Sequence, residues 1–191
     1  MDILLALCLG IALSAACGFR VFIPPFAMSL AAVHGNFELS PQFAWLGTYP
    51  ATIALGVATV VEILAYYIPV IDNLLDTIEI PIAIAVGIIL TAAIVGDLDS
   101  ILQWSLAVVG GGAAGIIGVA TTIIRLASTG LTGGVGNIGL ATVEVLSGAV
   151  LSLLALTLPL LAIAIVIGLL IFAVTKIVNY LPSLMQRIKR N

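Results

Sequence analysis

Glu62 and Glu144 stand inside long apolar segments, within the stretches "ATVVEIL" (58–64) and "LATVEVL" (140–146). An acid at the centre of a membrane helix costs roughly 2.5–3.5 kcal/mol on insertion scales, so such a residue turns toward a protein interior, a cavity or a partner. Helical spacing sets Glu62 beside Ala58 and Tyr66, and Glu144 beside Leu140, Ser147 and Gly148. A small, polar lining suits a water-accessible cavity in which the acids bind a cation or exchange a proton. A second reading uses Arg20 and Arg125, which also lie in apolar segments, to neutralise the two acids as helix-to-helix glue. Arg20 follows Gly18 and precedes Pro24 and Pro25. A helix break there would free backbone N–H groups, and a cation beside free amides holds a small anion or a lipid headgroup. Near a membrane interface either arginine could instead snorkel to phosphate, which is the expectation for Arg125 beside its Gly-rich neighbour.

Asp72, Asp76 and Glu79 follow i, i+4, i+7 spacing between Pro69 and Pro81. This predicts a short interfacial helix with one wet acidic face, Asp72 as its N-cap, and Ile71, Leu74, Leu75 and Ile78 on the other side. The sharper reading makes the acids a vestibule that draws cations toward Glu62. Carboxylates with a single histidine, His34, suit hard cations or protons better than zinc or copper, and no particular metal is implied. No Ser–His–Asp set, H-E-x-x-H or Cys–His cluster is present, so neither an enzyme nor a cofactor is expected. "GLTGGVGN" (130–137) lacks the lysine of a phosphate-binding loop and reads as a flexible loop.

The elements that must position these residues follow from composition. Hydrophobic residues make up 62 % of the chain and charged ones 8 %, with a formal charge of −3. A soluble domain carries about 25 % charged residues, so water is not the solvent for most of this surface. The absence of a basic stripe argues against nucleic acid as a partner. Apolar segments fall at about 2–34, 48–69, 81–96, 100–129, 138–158 and 160–180, most of them approaching the roughly 20 residues that cross a bilayer. The first and fourth are longer than one crossing requires. Each carries a weak point, "GFRVFIPP" or "GGGAAGIIG", so a kink or break is expected in both. Gly111–Gly115 and the Gly10, Ser14, Gly18 ridge should allow close helix packing. Cys8 and Cys17 are too far apart on one helix to pair, and read as small apolar residues.

Lys176, Arg187, Lys189 and Arg190 gather at or beyond the last segment. The positive-inside rule then places the C-terminus in the cytoplasm, with the tail on the anionic inner leaflet. Glu62 aligns with Glu144, and residues 15–35 pair in length and small-residue pattern with 110–130. The halves therefore read as a duplication. With three crossings each, they would insert with opposite topology.

"GFRVFIPPF" and "VEILAYYIPVIDNLLDTIEIP" resemble a family of small bacterial integral membrane proteins known by a domain-of-unknown-function label, number 4126. The residues that carry the likeness are Gly18, Phe19, Arg20, Pro24, Glu62, Tyr66, Pro69, Asp72 and Asp76, with Glu144 in the second half. The resemblance marks residues worth testing and implies no activity.

The expected fold is an all-α, polytopic inner-membrane protein of about six transmembrane helices. It divides into inverted three-helix repeats at 1–97 and 98–181, followed by a basic cytoplasmic tail at 182–191. The expected role is a transporter or channel for a small ion or solute. Its site residues would be Glu62, Glu144, Arg20, Asp72, Asp76 and Tyr66, with a helix break at Gly18, Pro24 and Pro25. A homodimer is expected from the short chain. The rival is a non-transporting module that binds lipid headgroups or a partner, its Glu–Arg pairs purely structural.

Overall fold

The computed structural model describes residues 2–36, 38–96 and 98–188, without side chains for 69, 70, 72–74, 76, 77 and 179–188. The described regular structure is helical: α1 (Ile3–Ala16), α2 (Ile23–Val33), α3 (Tyr49–Ala65), α4 (Pro69–Ile94), α5 (Ser100–Thr132), α6 (Gly136–Thr157) and α7 (Pro159–Ile188). A short 3₁₀ helix, Pro41–Gly47, precedes α3. Among the described residues, three helices are long and apolar enough to cross a membrane: α5, α6 and the Pro159–Val178 part of α7. The 3₁₀ helix and α3 supply a fourth if counted as one span bent by 65°. The remaining apolar helices α1 and α2 are each shorter than a simple crossing, and α4 is apolar over its described Ile78–Ile94 part. Large apolar side chains such as Val57, Val61, Leu64, Val108, Leu146, Leu153 and Ile171 point outward, whereas Arg20, Glu62, Glu79, Arg125 and Glu144 are buried. An apolar exterior around a charged interior is the arrangement expected of a membrane-embedded chain.

Small residues let the central helices touch. A Cβ on Gly18 would stand 2.5 Å from the Ala114 carbonyl oxygen, and one on Gly111 would stand 2.8 Å from that of Ile84. The Ser14 hydroxyl donates to the Gly87 carbonyl at 2.6 Å and lies 2.8 Å from Thr91 Oγ1. Backbones that approach this closely gain dispersion contact and interhelical hydrogen bonds, which drive association where lipid removes the hydrophobic term. The small-residue ridges on α1 and α5 thus seam α1, α4 and α5 together.

Several sequence expectations need correction. The first long segment is broken, but over Cys17–Phe22 rather than at the prolines. Pro24 falls in the first turn of α2, where a missing N–H costs nothing, and Pro25 follows it. The fourth segment is not broken: α5 runs without interruption through its glycines. Nor is there a separate helix between Pro69 and Pro81. Helix α4 begins at Pro69 after an Ile68 N-cap, not at Asp72, and continues through Pro81 to Ile94. The Gly-rich stretch is mostly helix as well. Only Gly133–Val135 turns the chain, with Gly133 (φ 63°) and Gly134 (φ 92°) in the left-handed region that glycine adopts at little cost.

A charged cluster at a broken helix

The break between α1 and α2 leaves backbone groups without helical partners, and in a lipid-facing protein these must be satisfied from within. Side chains of two other helices do so. Glu62, on α3, accepts the Val21 N–H at 2.7 Å and the Phe22 N–H at 3.1 Å, one with each carboxylate oxygen. It therefore caps the N-terminus of α2 from outside, where the helix dipole favours negative charge. Thr59, one turn earlier on α3, also lies 3.1 Å from the Phe22 carbonyl, which already accepts the Phe26 N–H, and 2.8 Å from the Leu55 carbonyl of its own helix. The Thr121 hydroxyl, on α5, lies 3.3 Å from the Gly18 carbonyl and 2.9 Å from the Gly118 carbonyl of its own helix, so it is shared between them. The sequence "T-V-V-E" on α3 thus presents a hydroxyl and a carboxylate to the same gap.

Arg20 sits inside the break and is fully buried. Its Nη2 lies 2.8 Å from Glu144 Oε2 and donates to the Ala141 carbonyl at 3.3 Å. Its Nη1 lies 3.7 Å from Glu79 Oε1, too far for a hydrogen bond, and neither Nη1 nor Nε has a hydrogen-bond partner among the described residues. Arg125, on α5, is 1 % exposed and grips Glu144 with two nitrogens. Nε donates to both carboxylate oxygens at 3.0 and 3.1 Å, and Nη2 makes a close contact with Oε2. Tyr66 closes the group: its ring lies 3.6 Å from the Arg20 guanidinium carbon and 4.6 Å from that of Arg125. It also faces Glu79. Cations over a desolvated ring are worth about 2 kcal/mol or more.

Of the residues anticipated from sequence, Arg20, Glu62, Tyr66 and Glu144 come together here, and Gly18 marks the break. The side chains of Asp72, Asp76 and Arg187 lie outside the described residues, as do Lys189 and Arg190. Two members were misassigned. Glu79 was placed on a wet face, yet it is 5 % exposed and belongs to the cluster. Arg125 was expected at the interface, yet it is buried against Glu144. The signal for Arg125 was present: it and Glu144 lie about equally far from the Gly133–Val135 turn, so the α5–α6 hairpin sets them side by side. Thr59 and Thr121 were not anticipated at all. Glu62 and Glu144, matched in sequence, have different tasks because α5 is continuous and offers no free amides to a carboxylate. No group of three or more histidine, cysteine, aspartate or glutamate side chains among the described residues is arranged to hold a metal ion.

The family model described as "Domain of unknown function (DUF4126)" matches residues 7–179. The chain belongs to this family. The matched range contains all five charged residues of the cluster and Tyr66. No curated protein and no solved structure matches the chain.

Proposed function

We propose that the protein is a membrane transporter or channel for a small ion or solute, with the cluster at the α1–α2 break as its binding point. The observation that carries this reading is the convergence of Arg20, Glu62, Glu79, Arg125 and Glu144 on an interrupted helix in an otherwise apolar chain. Discontinuous helices whose ends meet charged groups are a common way to build a substrate site within a bilayer. Stability alone is a poor reason for such a cluster, since well-packed apolar residues often replace a buried ion pair at no loss. The two halves, 1–97 and 98–181, would be inverted repeats meeting at this point, and the short chain favours a homodimer. An inner-membrane location with a cytoplasmic C-terminus belongs to the same proposal.

A second reading is favoured by one feature: Glu144 is held by both arginines at once. That grip suits a non-transporting module in which the charges are glue and Arg20 answers to a lipid headgroup or partner. Flux into proteoliposomes separates the two. Wild type, Glu62→Gln and Glu144→Gln are compared with alkali and divalent cations, halides and a pH gradient. Transport predicts a flux that a folded variant loses. No flux under any of these conditions, with both variants less stable, assigns the cluster to structure.

A further inference from the structure

Among the described residues, the charges of the cluster are not balanced. Arg20 and Arg125 bring two positive charges against three carboxylates, so one negative charge is left over if every acid is ionised. In a buried, low-dielectric site an uncompensated charge is costly, and the smallest species that removes it is a proton. The question is which acid takes it.

Geometry separates the three. Both oxygens of Glu62 accept backbone N–H groups that have no other helical partner, so a proton there would set a donor against donors. Both oxygens of Glu144 accept from Arg125, and Oε2 also meets Arg20 at 2.8 Å. A proton there would break charge-assisted bonds to two guanidinium groups. Glu79 differs from both. Its nearest arginine nitrogen is 3.7 Å away and forms no hydrogen bond with it. Protonation of Glu79 therefore sacrifices no bond to a cation. The charged and titratable groups facing it among the described residues are Arg20 from the break, Tyr66 from the end of α3, Arg125 from α5 and Glu144 from α6.

We infer that Glu79 is the proton-exchanging residue of the cluster, taking one proton from water onto its carboxylate while Glu62 and Glu144 stay ionised. An O–H bond forms on Glu79, the sum of the five charges moves from −1 to zero, and no other bond is made or broken. Arg20 then loses its distant counter-charge on that side while keeping Glu144 on the other. Coupling of this exchange to transport rests on the function proposed above; the exchange itself does not.

The test is pH-difference infrared spectroscopy of the full chain in lipid nanodiscs, reading the carboxylic C=O band and the carboxylate bands. Wild type should show one buried carboxyl titrating, and Glu79→Gln should lose that band while Glu62→Gln and Glu144→Gln keep it. Glu79→Asp, a second variant, should retain a titrating band at a shifted frequency and midpoint. A titrating band that survives Glu79→Gln and disappears in Glu62→Gln or Glu144→Gln overturns the assignment. So does a wild-type spectrum with no titrating buried carboxyl. The band without any flux would leave the assignment standing and remove the transport reading. A pH-dependent flux unchanged by Glu79→Gln would do the reverse.

Discussion

Glu144→Gln tests how much of the fold the cluster holds. The substitution keeps the volume of the side chain and removes its charge. The wild-type carboxylate takes two hydrogen bonds from Arg125 Nε, a close contact from Arg125 Nη2 and a 2.8 Å contact from Arg20 Nη2. A glutamine offers one oxygen in place of two and turns an NH₂ group toward donors. Two buried guanidinium groups then lose their shared counter-ion. Removing one partner of a buried pair typically costs about 3–5 kcal/mol, because the remaining charge stays desolvated. At about 1.4 kcal/mol per factor of ten, that is roughly two to three and a half decades in the unfolding equilibrium constant. Reversible unfolding in mixed lipid–detergent micelles, followed by tryptophan fluorescence, reads it directly. The double variant Glu144→Gln/Arg125→Leu sharpens the result. If the cost of the single change is an orphaned charge, deleting Arg125 should recover part of it, with a coupling of about 0.5–3 kcal/mol. A Glu144→Gln protein within about 0.5 kcal/mol of wild type, or a double variant whose losses simply add, would refute the claim that these charges hold α5 and α6 to the broken helix.

Three further outcomes follow from the same geometry. Glu62→Gln should destabilise by about 1–3 kcal/mol, the desolvation cost of an amide left unsatisfied. Hydrogen exchange at Val21 and Phe22 should accelerate with it, and unchanged protection there would show that the cap is dispensable. Gly18→Ala, whose Cβ would meet the Ala114 carbonyl oxygen at 2.5 Å, should cost about 1–3 kcal/mol. Gly112→Ala, with open space around its Cβ, should instead gain up to about 1 kcal/mol from helix propensity; equal effects at the two sites would refute the α1–α5 seam. Tyr66→Leu should lose about 2 kcal/mol as Arg20 is stripped of its aromatic face, and thermal unfolding no lower than wild type would show that the ring does not matter.

Much of this arrangement was legible from the chain because charge is rare in it. Arg20, Glu62 and Glu144 stand out against hydrocarbon, and the excess length of 2–34 announced a break. What misled was local chemistry that the tertiary structure overrode. Asp72, Asp76 and Glu79 have amphipathic spacing and prolines on both sides, which reads as a short wet helix. Yet Pro81 continues α4 rather than ending it, and Glu79 is carried inward to Tyr66 and Arg20. The glycines of α5 read as a weak point, but close contact with Ile84 and Ile88 makes them a packing surface. Thr59 and Thr121 could not be found, because a hydroxyl bonding a distant carbonyl leaves no periodic trace.

The cap on α2 has a consequence for biogenesis. Val21 and Phe22 leave the ribosome some forty residues before Glu62, whose carboxylate accepts their N–H groups at |i−j| separations of 41 and 40. Until α3 has been synthesised, the interrupted segment has no protein acceptor at its gap. It must pass that interval with the gap hydrated or wound into a provisional continuous helix. The hydrogen bonds that cap the mature gap can therefore form only once α3 has been made, well after residues 2–34.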